Sequence, residues 1–276
     1  MGIAFLKGHG TQNDFVLLPD PDGSLELTAE RVQALCDRRR GLGADGVLRV
    51  MRTAALEPGT AADDSEWFMD YRNADGSIAE MCGNGVRVFA RYLLDAGLVN
   101  TAEFVVGSRA GGRPVTVHAD RSVTVAMGPG AVTGESTASV AGVTYAGLAV
   151  DVGNPHLVSV TDTDIAGLDL SRQPDFDQQV FPHGVNLEFV NRIDDGALRM
   201  RVHERGVGET RSCGTGTVAA AVADLRLAGE SAGKRTVHVP GGMVTVTVDE
   251  GETTLTGPAV ILAGGELDSA WWDSPA

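Results

Sequence analysis

The sequence predicts an α+β chain made of two copies of one unit, each a mostly antiparallel or mixed sheet wrapped around one central helix. Three observations lead there. Residues 80–94, EMCGNGVRVFARYLL, and 211–225, RSCGTGTVAAAVADL, both run Cys, Gly, a small polar residue and Gly into a helical stretch. Val86, Phe89, Ala90 and Leu93 in one, and Val218, Ala221, Val222 and Leu225 in the other, keep the spacing of an apolar helix face, with Gly97 and Gly229 closing the helices. A second echo, Asn13 before the apolar run 15–18 and Asn154 before 157–160, recurs at an offset close to that of the cysteines. Gene duplication accounts for both.

In order, residues 3–18 read as two short strands joined by the polar bend KGHGTQND. Thr28 is placed to N-cap a helix over 29–39, whose apolar face carries Val32, Leu35 and Cys36, so Cys36 is expected as a core thiol. The run RRRGLGADG lacks the GK[ST] ending of a phosphate loop and opens no helix, which sets aside both nucleotide-binding readings. Strands are expected at 47–50 and 66–71 around a polar insert, 53–65, before the turn RNADGSIAEMCGNG delivers Cys82. Strands at 103–106, 114–118 and 122–126 then precede MGPGAVTGESTASVAG, the sharpest compositional break. The chain is expected to divide there into halves 1–127 and 128–263, with the tail 264–276 returning to complete the first. The second half restarts with strands at 143–150 and 157–160, a short helix or loop, and strands at 185–190 and 198–203. After the second cysteine helix come strands at 236–239, 243–248, 253–256 and 260–262.

A chain of 276 residues that is 43% hydrophobic has ample material for two cores. Its net charge of −15 with scattered basic residues offers no surface for nucleic acid. No apolar run approaches the roughly 20 residues of a membrane helix, and no N-terminal charged-then-apolar segment with a cleavage site appears, so a cytoplasmic protein with no membrane contact is expected. Three cysteines without CxxC or a His/Cys ligand pair point away from a disulfide framework and from a bound metal.

The chemistry therefore rests on thiols. A cysteine at a helix N-terminus faces unpaired N–H groups and the positive end of the macrodipole, which favour its thiolate. Two such cysteines, one in each half and brought to one cleft by a two-fold axis, suit inversion at a carbon: a base on one face and an acid on the other. The carbanion between them would be stabilised by the N–H groups of Gly83 and Asn84 and of Gly214 and Thr215. Pyridoxal phosphate would need a Schiff-base lysine, and Lys7 and Lys234 lie in no phosphate-binding context, so no cofactor is expected.

CGNG at 82–85, GNPH at 153–156, GVN at 184–186 and ERGVGETRSCGTGT at 204–217 resemble the diaminopimelate epimerase family, and the resemblance runs from the KGHGTQNDF bend to the last strands. It implies the duplicated epimerase fold and cofactor-free interconversion of LL- and meso-2,6-diaminopimelate, a step toward lysine and peptidoglycan, with Cys82 and Cys213 as acid and base. Carried over residue by residue, it makes Asn13, Asn73, Asn154 and Asn186 amide contacts to this small-molecule substrate. Glu204 and Arg205 would meet the ammonium and carboxylate of its far end, and His156 and Glu204 would adjust the thiols. A homodimer is the assembly considered. One departure stands out: Gly46 occupies a position where many relatives carry Gln, removing one possible contact.

Overall fold

The computed structural model describes residues 2–57, 59–60, 65–194 and 196–274. Part of the polar insert expected at 53–65, and the last two residues of the expected tail, lie outside the described residues. The chain divides into two compact units, Met1–Val125 with Pro258–Ala276, and Ala126–Gly257. The expected division lay at 127/128 with a return at 264. The return begins earlier because the strand Val260–Leu267 pairs along Ile3–Gly10, from Ile3 opposite Leu267 to His9 opposite Val260.

In the first unit the strands follow the order Val260–Leu267, Ile3–Gly10, Asn13–Pro19, Gly46–Arg52, Trp67–Asn73, Glu103–Gly107, Arg113–Val117, Ser122–Pro129. Pairing is parallel between Asn13–Pro19 and Gly46–Arg52 and between Trp67–Asn73 and Glu103–Gly107, and antiparallel elsewhere. The second unit repeats this strand for strand: Ala131–Val140, Val143–Asp151, Pro155–Val160, Asn186–Asp194, Ala197–Glu204, Gly233–Val239, Gly242–Asp249, Glu252–Pro258. Its parallel pairs fall at the same two places.

The longest helices among the described residues are α1 (Ala29–Cys36), α2 (Gly83–Asp95) and α3 (Gly214–Leu227). Helix α2 is buried on nearly every side by strands of the first unit, and α3 by those of the second, so each sheet wraps a central helix. Small residues on α3, Ala219, Ala220, Ala221 and Ala223, are all fully buried and let the strands come close. Both helices end alike: Gly97 and Gly229 take positive φ, and Leu98 N–H and Glu230 N–H reach back to Leu93 O and Leu225 O, each at 2.9 Å. Helix α1 covers the first sheet with Val32, Leu35 and Cys36 packed on Val16, Leu18, Val47 and Trp272. It stops at Cys36 rather than Arg39 because the Asp37 carboxylate accepts from the N–H groups of Arg39 and Arg40 at 2.8 and 2.9 Å, an alternative to continuing the helix.

The compositional break begins beside the division between the units, and its residues are ordered as strand. Residues Ala131–Val140 form a long strand paired with Val143–Asp151, and most of its Ser, Thr and Glu side chains are exposed. A surface strand needs no apolar pattern on its open face.

Candidate active site

Cys82 is the N-cap of α2 and Cys213 the N-cap of α3. Both have extended backbone, and both sulfurs accept from the N–H three residues on, Gly85 and Gly216, at 3.4 Å. Glycine at those two places is steric: a Cβ on Gly216 would stand 2.6 Å from Glu188 Oε1, and one on Gly85 3.2 Å from Leu48 Cδ2. Gly83 and Asn84 open α2, and Gly214 and Thr215 open α3, in the first turns whose N–H groups have no carbonyl one turn back.

The duplicated register brings the other expected residues to matching strand ends. Asn13 begins the strand that pairs, through Phe15, with Gly46; Gly46 in turn stands opposite Asn73. In the second unit Asn154 precedes Pro155, His156 stands opposite Asn186, and Asn186 and Glu204 lie one step beyond the Leu187–His203 pair. Gly46 is thus the counterpart of Asn186, Phe15 of His156, Leu48 of Glu188, and Asn73 of Glu204. The Gly46 position has no room for a side chain: a Cβ there would stand 2.5 Å from Arg72 O and 2.7 Å from Tyr71 Cε2.

In the first unit a continuous set of hydrogen bonds leads to Cys82. Cys82 Sγ and Asn84 Nδ2 both donate to Asn13 Oδ1, at 3.6 and 3.2 Å, while Asn13 Nδ2 donates to Asp45 at 2.8 Å. Thr11 Oγ1 donates to Asn84 Oδ1 at 3.4 Å and accepts from the fully buried Arg87 at 3.1 Å. Thr11 and Gln12 carry φ of 50° and 62°, the strained bend that turns Asn13 toward α2. Asn73 lies in its own turn, donating to Ser77 Oγ at 3.0 Å.

The second unit builds its chain from different chemistry. His156 Nδ1 meets Glu188 Oε1 at 2.6 Å with both side chains wholly buried, and His156 Nε2 meets Asn154 Oδ1 at 3.1 Å. Asn154 Nδ2 donates to Thr215 Oγ1 at 3.5 Å, and Thr215 Oγ1 lies 3.5 Å from Cys213 Sγ. Asn186 Nδ2 donates to Pro155 O at 3.1 Å, and its Oδ1 accepts from Arg205 N–H at 3.0 Å. The Arg205 side chain is exposed, with Nη1 donating to His183 O at 3.4 Å. The Glu204 carboxylate accepts from Thr210 Oγ1 and from the Cys213 thiol.

These surroundings set the titration of the second site. Burial pushes the Cys213 thiol well above its ordinary value, and the carboxylates of Glu204 and Glu188 add to that, against the opposing bonds from Thr215 and Gly216. Burial also raises Glu204, with the Thr210 and Cys213 bonds working against it. Cys36, in the core beneath α1, is pushed up to about 12 by burial. It has the character of a structural thiol.

Arg87, Thr11, Glu188 and Thr210 were not foreseen. Two of them left a trace in the sequence: Arg87 is a charge inside a helix buried all round, and Glu188 interrupts the apolar run NLEFV. Among the described residues no group of three His, Cys, Asp or Glu side chains could hold a metal ion, and no helix is long and apolar enough to cross a membrane.

A family model described as diaminopimelate epimerase matches residues 5–133 and 148–262. A protein named diaminopimelate epimerase from Rhodococcus jostii (strain RHA1) is 59% identical over 99% of this chain and 99% of its own. Another of that name, from Mycobacterium bovis (strain BCG / Pasteur 1173P2), is 56% identical over 99% of each. Among solved structures, a phenazine biosynthesis protein of the PhzF family from Bacillus anthracis superposes with a TM-score of 0.68 at 16% identity, covering 97% of this chain and 99% of that one. A hydroxyproline epimerase from Agrobacterium vitis reaches 0.66 at 16%, covering 96% and 92%. At those identities the structures speak for the fold alone. The sequence match extends through both halves and includes both cysteine frames, and the chain belongs to the diaminopimelate epimerase family.

Proposed function

We propose that this protein inverts one α-carbon of 2,6-diaminopimelate, interconverting the LL and meso forms, by cofactor-free proton exchange at Cys82 and Cys213. The observation that carries the reading is the pair of cysteines in identical N-cap frames, one to each unit. The thiolate of one takes the α-proton as the C–H electron pair moves onto the α-carbon and its carboxylate. The thiol of the other gives its proton to the opposite face, leaving the first protonated and the second ionised, so the roles exchange for the reverse direction. The first-turn N–H groups of Gly83, Asn84, Gly214 and Thr215 would stabilise the charge that develops on the carboxylate.

Asn13, Asn73, Asn84, Asn154 and Asn186 are the proposed amide contacts, with Arg205 as the planar partner of the far carboxylate and Glu204 facing the far ammonium. Support comes from the exposed guanidinium of Arg205 and from the strand-end positions shared by Asn13, Asn73, Asn154, Asn186 and Glu204. His156 is fully buried, so its proposed influence on Cys213 passes through Asn154 and Thr215. A reaction that needs both cysteines as free thiols suits the reducing cytoplasm, the proposed location, in lysine and cell-wall precursor synthesis. A homodimer is the proposed assembly, checked by sedimentation.

The test is proton exchange in heavy water with no added cofactor. Deuterium should enter the α-position of diaminopimelate as LL and meso forms interconvert, and proline should not exchange. Diaminopimelate bound without exchange would leave a binding protein, and exchange into proline instead would mean a different racemase.

A further inference from the structure

The two cysteine sites share one backbone frame but carry opposite buried charges. Five residues after Cys213 stands Val218; five after Cys82, at the matching place on α2, stands Arg87, 0% exposed. Its guanidinium folds back to the first turn of α2, donating to Gly83 O at 3.5 Å, Thr11 Oγ1 at 3.1 Å and Pro258 O at 3.2 Å. A Cβ on Gly10 would stand 2.9 Å from Arg87 Nη2, so the neighbouring strand is glycine where the guanidinium lies. Every described acceptor is a neutral oxygen, and no carboxylate pairs with Arg87 among the described residues.

Such a placement is unfavourable twice over. A buried cation without a counter-ion is strongly destabilising, and a cation at the N-terminal end of a helix opposes the macrodipole. Burial pushes Arg87 down to about 10, which still leaves it charged at neutral pH, and the Cys82 charge is the one influence acting in the other direction.

The other charged groups on elements packed against α2 are engaged elsewhere. Lys7 pairs with Asp14 at 2.6 Å, and Arg38 with Asp14 and Asp45, both at 2.8 Å. Arg49 bonds Asp20 at 2.7 Å, Asp70 takes Arg72 at 2.9 Å and Arg109 at 2.7 Å, and Arg91 pairs with Asp95 at 2.8 Å. Arg52 pairs with Glu66 at 2.8 Å. His9 Nδ1 accepts from Gln12 N–H at 3.3 Å, Arg113 is another cation, and Glu266 is exposed at the far end of the strand that follows Pro258.

We infer that Arg87 is a positioning residue whose permanent charge, buried behind the first turn of α2, stabilises Cys82 as the thiolate. The thiol bond to Asn13 Oδ1 at 3.6 Å favours the protonated form. A thiol is a weak donor, whereas a full charge in a dry interior is screened far less than it would be in water. In the second unit the matching frame has Glu188 and His156 where the first has Leu48 and Phe15, and the buried carboxylate favours the protonated Cys213. This inference rests on the proposed roles of the two cysteines for its catalytic meaning, but not for its test.

The test is alkylation by neutral iodoacetamide without substrate, followed residue by residue by peptide mapping. In the unmodified protein the Cys82 rate should rise less than tenfold from pH 6.0 to pH 8.5, where an ordinary cysteine would rise roughly 150-fold from its reference pKa. Arg87→Met should slow Cys82 alkylation at pH 7.0 at least fivefold and restore the steep profile, while Arg87→Lys should stay within twofold of the parent. A merely structural arginine would fail equally as Met and as Lys. If Arg87→Met does not fold, the profile of the unmodified protein and the Lys variant decide. A steep Cys82 profile in the unmodified protein, or Met and Lys variants that behave alike, overturns the inference. Because no turnover is measured, either result leaves the heavy-water test of epimerisation independent.

Discussion

The buried pair of His156 and Glu188 gives a prediction whose size follows from the structure. Both side chains are fully buried and meet at 2.6 Å, and Glu188 Oε2 has no hydrogen-bond partner among the described residues. Removing one partner of a buried pair leaves an uncompensated polar group, at about 3–5 kcal/mol. Glu188→Leu or His156→Phe alone should therefore destabilise by about that much. The first unit already holds Leu48 and Phe15, both fully buried, at the matching positions, so the frame accepts those shapes. The double variant, Glu188→Leu with His156→Phe, should return to within about 1 kcal/mol of the parent, because replacing both partners of a buried hydrogen bond by apolar groups of similar shape can be nearly neutral. Urea unfolding of the four proteins in a double-mutant cycle measures this. The double variant should still lose epimerisation, since the chain of bonds through Asn154 to Cys213 is broken. Additive destabilisation, or single variants costing less than about 1 kcal/mol, would refute the view of the pair as a mutually dependent unit.

Cys82→Ala and Cys213→Ala should each abolish epimerisation while keeping diaminopimelate affinity within about tenfold, measured by turnover and calorimetry; near-native turnover in either would end the two-base mechanism. Gly46→Gln should not improve KM and should destabilise by about 1–3 kcal/mol, lowering the melting temperature, because the new Cβ meets Arg72 O and Tyr71. Burial would raise Asp14, but its bonds to Arg38 and Lys7 outweigh that and hold it at about 2. Its contribution, on the order of 2 kcal/mol, is therefore present above about pH 4 and lost as pH falls toward 2. Acid unfolding of Asp14→Asn should be shallower over that window.

The duplication was legible because it is written in residues with no freedom to vary locally. The glycines of CGNG and CGTG admit the close approach of Leu48 and Glu188, and Gly97 and Gly229 carry the positive φ that ends each helix. The break at 127–142 marks the place where the two units divide, and its Ser and Thr lie on a largely exposed strand, where polarity reports solvent. Arg87 and Glu188 were only partly legible, for a different reason. Each shows as a charge in an apolar stretch, but its meaning depends on which residue faces it across a strand register or a helix turn. Gly46 looked like a missing amide; in the structure Tyr71 occupies the space a side chain would need.

The first sheet is closed by a strand that belongs to the far end of the chain. Ile3–Gly10 must pair with Val260–Leu267, whereas the second unit, 126–257, is contiguous. During synthesis at about 5–20 residues per second, the first strand emerges roughly 10–50 s before its partner. For that interval it has one paired edge at most and a row of open backbone groups on the other, the condition under which strands pair with the wrong neighbour. Every strand of the second unit has been made before that partner appears, so the later half of the chain has its full set of strands before the earlier one does. The tail then acts as the closing staple of nascent folding, and a truncation that removes Val260–Leu267 should yield a protein that aggregates through its N-terminal strand.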